Sequence, residues 1–133
     1  MIPINVVDPT KSTSFALAVN GSNRFSTAFG NGSEGISGDF ITDTVQLGGA
    51  TLTNLTMGLG KKGNMPIGLL GLGYSDREFV VGVEGPAGIY DNFPVALAKS
   101  GQVSTTAFSL WLNDQSKDNL QPLVAQLLYQ SRY

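Results

Sequence analysis

Short apolar runs separated by Gly, Ser, Thr and Asn turn signals occupy most of the chain and predict a mostly β protein. "SFALAV" (14–19) and "RFSTAF" (24–29) flank "NGSN", whose Asn-Gly pair is a strong hairpin signal, so the two runs are expected to pair as neighbours. In "GDFITDTVQLGG" (38–49), Phe40, Thr42, Thr44 and Gln46 alternate with Ile41, Asp43, Val45 and Leu47. Asp43 falls on the more apolar of these faces, which places it near a strand end or has it accepting a hydrogen bond. "ATLTNLTMGLG" (50–60) sets Leu52, Asn54 and Thr56 against Thr53, Leu55 and Met57, and Gly48-Gly49 predicts a tight turn between the two runs. Val6-Val7 precedes an Asp8-Pro9 turn start, and "TAFSLWLND" (106–114) alternates as a further strand. "PIGLLGLG" (66–73), continuous and broken by glycine, predicts a buried strand that other backbone approaches closely.

Two segments read as helical. "YDNFPVALAKSGQV" (90–103) offers Asp91 or Asn92 as cap, Pro94 for the first turn and Gly101 for a left-handed stop. "DNLQPLVAQLLYQSRY" (118–133) puts Leu120, Leu123, Val124, Leu127 and Leu128 at helical spacing. No internal repeat or long linker divides the 133 residues, which is one domain's worth of chain.

Composition narrows the chemistry. Eight basic and ten acidic residues give a net charge of -2 without a basic patch, so a nucleic-acid surface is not favoured. The chain contains no cysteine and no histidine, which removes disulfides, thiolate and Ser-His-Asp mechanisms, and the usual zinc sites. Acid-base work would fall to carboxylates. No apolar run approaches the roughly 18 residues needed to span a bilayer, and no signal peptide is evident at the start. Asn-x-Ser/Thr sequons at Asn20, Asn31 and Asn54 matter only if the chain enters a secretory route. Gly58-Leu59-Gly60-Lys61-Lys62-Gly63 matches G-x-G-x-x-G, but a strand-like run rather than a helix follows, which argues against a nucleotide site. Asp76 and Glu78, alternating with Arg77, read as a solvated loop.

The ordered series "DPTKSTSF", "FGNGS", "GDFITDTVQLGG", "GLLGLG", "YDNFPVALAKSGQV" and "AFSLWLND" resembles the pepsin-like aspartic proteases, and within them the fungal yapsin-like and secreted members. The likeness runs from about Asp8 to Asp114. It implies a mostly β fold of β-barrel type, here an incomplete N-terminal lobe over 1–114 with one or two short helices, and a divergent, helical tail over 115–133. It further implies a peptide or protein substrate, hydrolysis by activated water without metal or organic cofactor, a second lobe as partner, and a secreted, vacuolar or cell-surface location. "FGNGS" stands where the family has its flap tip, so Phe29, Gly30, Asn31, Gly32 and Ser33 are the implied substrate-covering residues. Phe29 replaces the flap tyrosine, keeping an apolar wall but lacking the hydroxyl. Leu69 in "GLLGLG" is implied as part of a substrate-pocket wall.

One departure is decisive. The family's two catalytic aspartates each sit in Asp-Thr/Ser-Gly, and that motif occurs nowhere here, since Asp43-Thr44 is followed by Val45. The expectation is therefore a fragment without catalytic residues, inactive alone, or alternatively a noncatalytic peptide-binding or decoy module. Unpaired edges and exposed apolar surface around Phe40, Leu55 and "GLLGLG" are expected to limit solubility.

Overall fold

A computed structural model of the chain describes residues 8–18, 24–29, 32, 34–64, 68–77 and 88–108. Among these, four strands form one open antiparallel sheet: β1 (Ala16–Leu17), β2 (Phe25–Phe29), β3 (Glu34–Leu47) and β4 (Ala50–Gly63). The helix α1 (Phe93–Lys99) packs on one face. The mostly β reading of the sequence holds; the sheet is open among the described residues, rather than closed as a barrel.

The centre is the long ribbon of β3 and β4, joined by Gly48-Gly49 with φ of 56° and 84°. Positive φ at both central residues is the primed turn whose twist matches the flanking strands, and glycine adopts it without penalty.

β1 and β2 do not form the hairpin expected from the Asn-Gly pair. Ala16 and Leu17 pair with Thr42 and Ile41, while Phe25–Phe29 pair with Gly38 through Glu34. Both are antiparallel to β3, so they run in the same direction and cannot be antiparallel to each other. Both also occupy the edge of β3 opposite β4, because Gly38 and Ile41 each have a β4 partner as well. Together they act as one interrupted strand; "NGSN" itself lies outside the described residues.

A register shift between Asp43 and Val45 reorganises β4. Val45 faces Leu52 and Asp43 faces Leu55, which leaves Thr53 and Asn54 opposite Thr44 alone. This is a β-bulge, and Asn54 takes φ 57° there. The strict alternation read from the sequence is thereby corrected: Leu52 and Leu55 lie on one face, buried with Phe93 and Leu97, with Val45, Met57 and Ala96 packed around them. On the opposite face Phe40 meets the rings of Phe25 and Tyr90 edge to face, at 5.5 and 6.1 Å. Phe25 can lie there because Gly58 has no side chain; a Cβ on it would come within 2.5 Å of the ring.

Phe40 and Leu55, expected to be exposed, are therefore buried at 7% each. The expectation of exposed apolar surface holds only for "GLLGLG", where Leu69 and Leu70 are 58% and 49% exposed. That segment is also not a strand: 68–73 is irregular, with open space around Gly68, Gly71 and Gly73. A run of apolar residues becomes a strand only against a neighbouring backbone, and none of the described strands pairs with it. Thr106–Phe108, the described start of the run expected to form another strand, is likewise irregular. Val6-Val7 and the tail expected to be helical lie outside the described residues.

α1 follows its sequence signals. The Asn92 side chain accepts from the Val95 N–H at 3.5 Å, Pro94 sits in the first turn, and Gly101 follows with φ 74°. Phe93 and Leu97, four apart, share the face turned to β4.

Candidate functional site

Of the residues singled out in "FGNGS", Phe29 and Gly32 are described. Phe29 is the last residue of β2 and pairs with Glu34 at the start of β3, so residues 30–33 form the connection. Gly32 is exposed with φ 85°, a backbone state that side chains with a Cβ rarely adopt. Gly30, Asn31 and Ser33 lie outside the described residues. Leu69 belongs to the separate segment 68–73, with its side chain exposed.

The base of the hairpin is held from the β4 side. The Gly35 N–H donates to Asn64 Oδ1 at 2.9 Å, and the Asn64 N–H donates back to the Gly35 carbonyl at 3.1 Å. A second bulge between Ser37 and Gly38 leaves Lys61 as the extra residue of β4. Lys61 forms an ion pair with Asp39, whose carboxylate is buried while the ammonium is half exposed. A buried carboxylate needs such a partner, since desolvation alone would disfavour its charge. These contacts fix where the hairpin leaves the sheet. The sequence reading missed both Asn64 and Asp39. Asp39 carried a usable signal, because it alternates onto the same face as Ile41 and Asp43, where an acid requires a partner.

Asp43 does what its position demanded. Its Oδ1 accepts from the Ser14 hydroxyl at 2.5 Å, the Ser12 hydroxyl at 2.8 Å and the Thr44 N–H at 2.7 Å. The Ser14 bond first, then those of Ser12 and Thr44, hold its carboxyl below the ordinary carboxylate range. The effect is to tie the segment before β1 onto β3. Asp43 is thus a structural acceptor, remote in sequence from the hairpin turn.

Segment 68–73 is linked to the helix. Asn92, while capping α1, donates its side-chain N–H to the Gly73 carbonyl at 2.7 Å. On the far side of β4, Gln102 clamps the strand by donating to the Thr51 carbonyl and accepting from its N–H, both at 2.9 Å. Between β4 and α1 lies a cleft of about 310 Å³ lined by Thr51, Thr53, Asn54, Asp91 and Lys99 among others. The G-x-G-x-x-G stretch lies wholly within β4, whereas the phosphate-binding use of that motif requires a turn that opens a helix.

The family model described as eukaryotic aspartyl protease matches residues 4–122. The chain is 39% identical over 111 residues, 84% of its length, to a probable aspartic-type endopeptidase opsB of Aspergillus oryzae, of which this covers 22%. It is 36% identical over 121 residues, 86% of its length, to aspartic proteinase yapsin-3 of Saccharomyces cerevisiae, covering 23% of that protein. An acid protease of Saccharomycopsis fibuligera is 36% identical over 108 residues, 81% of the chain and 26% of the relative. The chain thus spans about a quarter or less of these relatives. With residues 4–122 matched by one family model, this chain belongs to the pepsin-like eukaryotic aspartyl proteases.

Proposed function

We propose that the chain supplies the substrate-covering flap and one pocket wall to aspartic endopeptidase chemistry, and that these 133 residues do not hydrolyse peptides by themselves. The observation that supports the reading is the Phe29–Glu34 pairing that joins β2 to β3 across four residues, with Gly32 among them in a left-handed conformation. A turn rich in glycine can approach an extended peptide closely and offer it backbone hydrogen bonds. Leu69, with its side chain exposed, is available as apolar wall. In this reading Phe29, Gly30, Asn31, Gly32, Ser33 and Leu69 contact substrate.

Hydrolysis in such enzymes needs two aspartates about 3 Å apart that share one proton, so that one activates water while the other acts as acid. The sequence contains no Asp-Thr-Gly or Asp-Ser-Gly to provide either. Both aspartates would come from polypeptide beyond 1–133, including a second lobe, and the exposed Leu69, Leu70 and Tyr74 favour a covering partner. Resemblance to the family supports a secreted, vacuolar or cell-surface location in this reading. Residues 1–114 are read as the family lobe, and 115–133 as a tail of its own.

The test is acid peptidase activity of the chain in its native coding context. Gly32→Val, which forces a β-branched residue to positive φ, is expected to reduce peptide hydrolysis at least tenfold. Unchanged hydrolysis in that variant removes the flap assignment. The missing aspartate motifs also favour a second reading, a noncatalytic peptide-binding module. Binding of a statine-type inhibitor by the 133-residue chain supports that module, and its absence supports the dependent fragment.

A further inference from the structure

Asn54 combines three properties that the family's chemistry does not use. It is followed by Leu55 and Thr56, an Asn-x-Thr acceptor sequence. It is the extra residue of the β4 bulge, opposite Thr44 together with Thr53, with φ 57°. It is also exposed and lines the cleft between β4 and α1. Asn20 and Asn31, the other sequons, lie outside the described residues.

We propose that Asn54 is an N-linked glycosylation site whose glycan leaves the protein over this cleft. The inference rests on the secretory location proposed above. In the transfer, the Asn54 side-chain nitrogen attacks the anomeric carbon of an oligosaccharide carried on a lipid diphosphate. The new N–C bond replaces the C–O bond to the diphosphate, which departs with the electron pair, and one amide proton is released. Attachment precedes folding in such a route, so the folded chain must leave the sugar an unobstructed exit. The bulge does this: it exposes Asn54 while Leu52 and Leu55 on either side turn into the core. Sugar hydroxyls emerging there meet a polar rim, with the exposed Thr51 and Thr53 on one side and the Asp91–Lys99 ion pair on the other.

A left-handed backbone alone also favours asparagine at this position, but it makes no demand on the residue two places on. The experiment uses that difference. The chain is expressed in yeast behind a secretory leader, treated with peptide N-glycosidase and sequenced by mass spectrometry across residues 50–57. Conversion of Asn54 to Asp on deglycosylation is the expected result. Thr56→Ala, which keeps the bulge residue, and Asn54→Gly, which keeps its backbone conformation, should each abolish the glycan at this position. Recovery of unmodified Asn54 from the leader-driven protein overturns the proposal. Retention of the native gene product inside the cell would overturn the location instead, since the leader-driven result decides the site separately.

Discussion

Leu52 and Leu55 lie three residues apart on one strand yet are buried on the same face, at 4% and 7% exposure. A regular strand would turn them to opposite sides, because its side chains alternate. The bulge at Thr53 and Asn54 adds one residue to β4 and returns Leu55 to the face already occupied by Leu52. That face then receives Phe93 and Leu97 from α1, so a single extra residue unites sheet and helix in one core.

The bulge depends on a residue that tolerates φ 57°. Asn54→Val is expected to destabilise the fold by about 1–2 kcal/mol, from the clash of its branched Cβ with neighbouring backbone. Asn54→Gly, free of that clash, should stay close to the parent. Urea denaturation of unglycosylated protein made in bacteria measures both, and equal midpoints for Val and Gly would contradict a left-handed Asn54.

The helix is held by few contacts, so each matters. Leu97→Ala removes a side chain packed among Leu52, Leu55 and Phe93, and should cost about 2–5 kcal/mol. Gln102→Ala removes the paired bonds to the Thr51 backbone without opening a cavity, and should cost about 0.5–3 kcal/mol. Hydrogen exchange separates the two, since Gln102→Ala should accelerate exchange at the Thr51 N–H more than at the centre of β3.

Glycines of the sheet and of segment 68–73 should respond in opposite ways. A Cβ on Gly38 would stand 2.0 Å from the Leu59 carbonyl oxygen and 2.9 Å from the Lys61 nitrogen, both backbone atoms of the second bulge. Gly38→Ala is therefore expected to cost about 1–3 kcal/mol or to prevent folding. Gly68 has nothing within 4 Å of the same position, and Gly68→Ala should change stability by less than about 0.5 kcal/mol. Thermal unfolding of the two variants side by side tests the contrast.

These cases show which features can be read from a chain in isolation. The Gly48-Gly49 turn and the capping of α1 by Asn92 were legible because each is specified by residues adjacent in sequence. Asp43 was legible as an acid on an apolar face, although its Ser12 and Ser14 donors were not. The bulge was hidden, because register is a property of two strands and the alternation of β4 taken alone was regular. Pairing of β1 and β2 with β3 instead of with each other was hidden for the same reason. Leu69 shows the reverse failure: an apolar run was legible, but whether another backbone lies against it was not. A turn at the glycines of "FGNGS" was legible from composition, but glycine spacing by itself suits any tight turn and carries no role.

Acid should loosen the attachment of the first described segment to β3. Asp43 accepts from Ser14, Ser12 and the Thr44 N–H, and its folded-state pKa is depressed below the ordinary carboxylate value. Asp8, which accepts from the Thr10 hydroxyl and N–H, is shifted in the same direction. For a depressed carboxylate the unfolded chain binds the proton more tightly, so the stabilisation is complete above the unfolded pKa of about 4 and is lost as pH falls through the lower folded value. Ser14→Ala removes the largest contribution and should raise the Asp43 pKa toward the usual range in an NMR carboxyl titration. Asp43→Asn should lower stability at pH 7 and flatten its further loss below about pH 4, leaving only the part due to Asp8 and other acids. Urea denaturation at a series of pH values compares the two slopes. Equal acid sensitivity in the parent and in Asp43→Asn would show that the hydroxyl cluster does not hold the charged form, and that Ser12 and Ser14 anchor the segment as neutral partners alone.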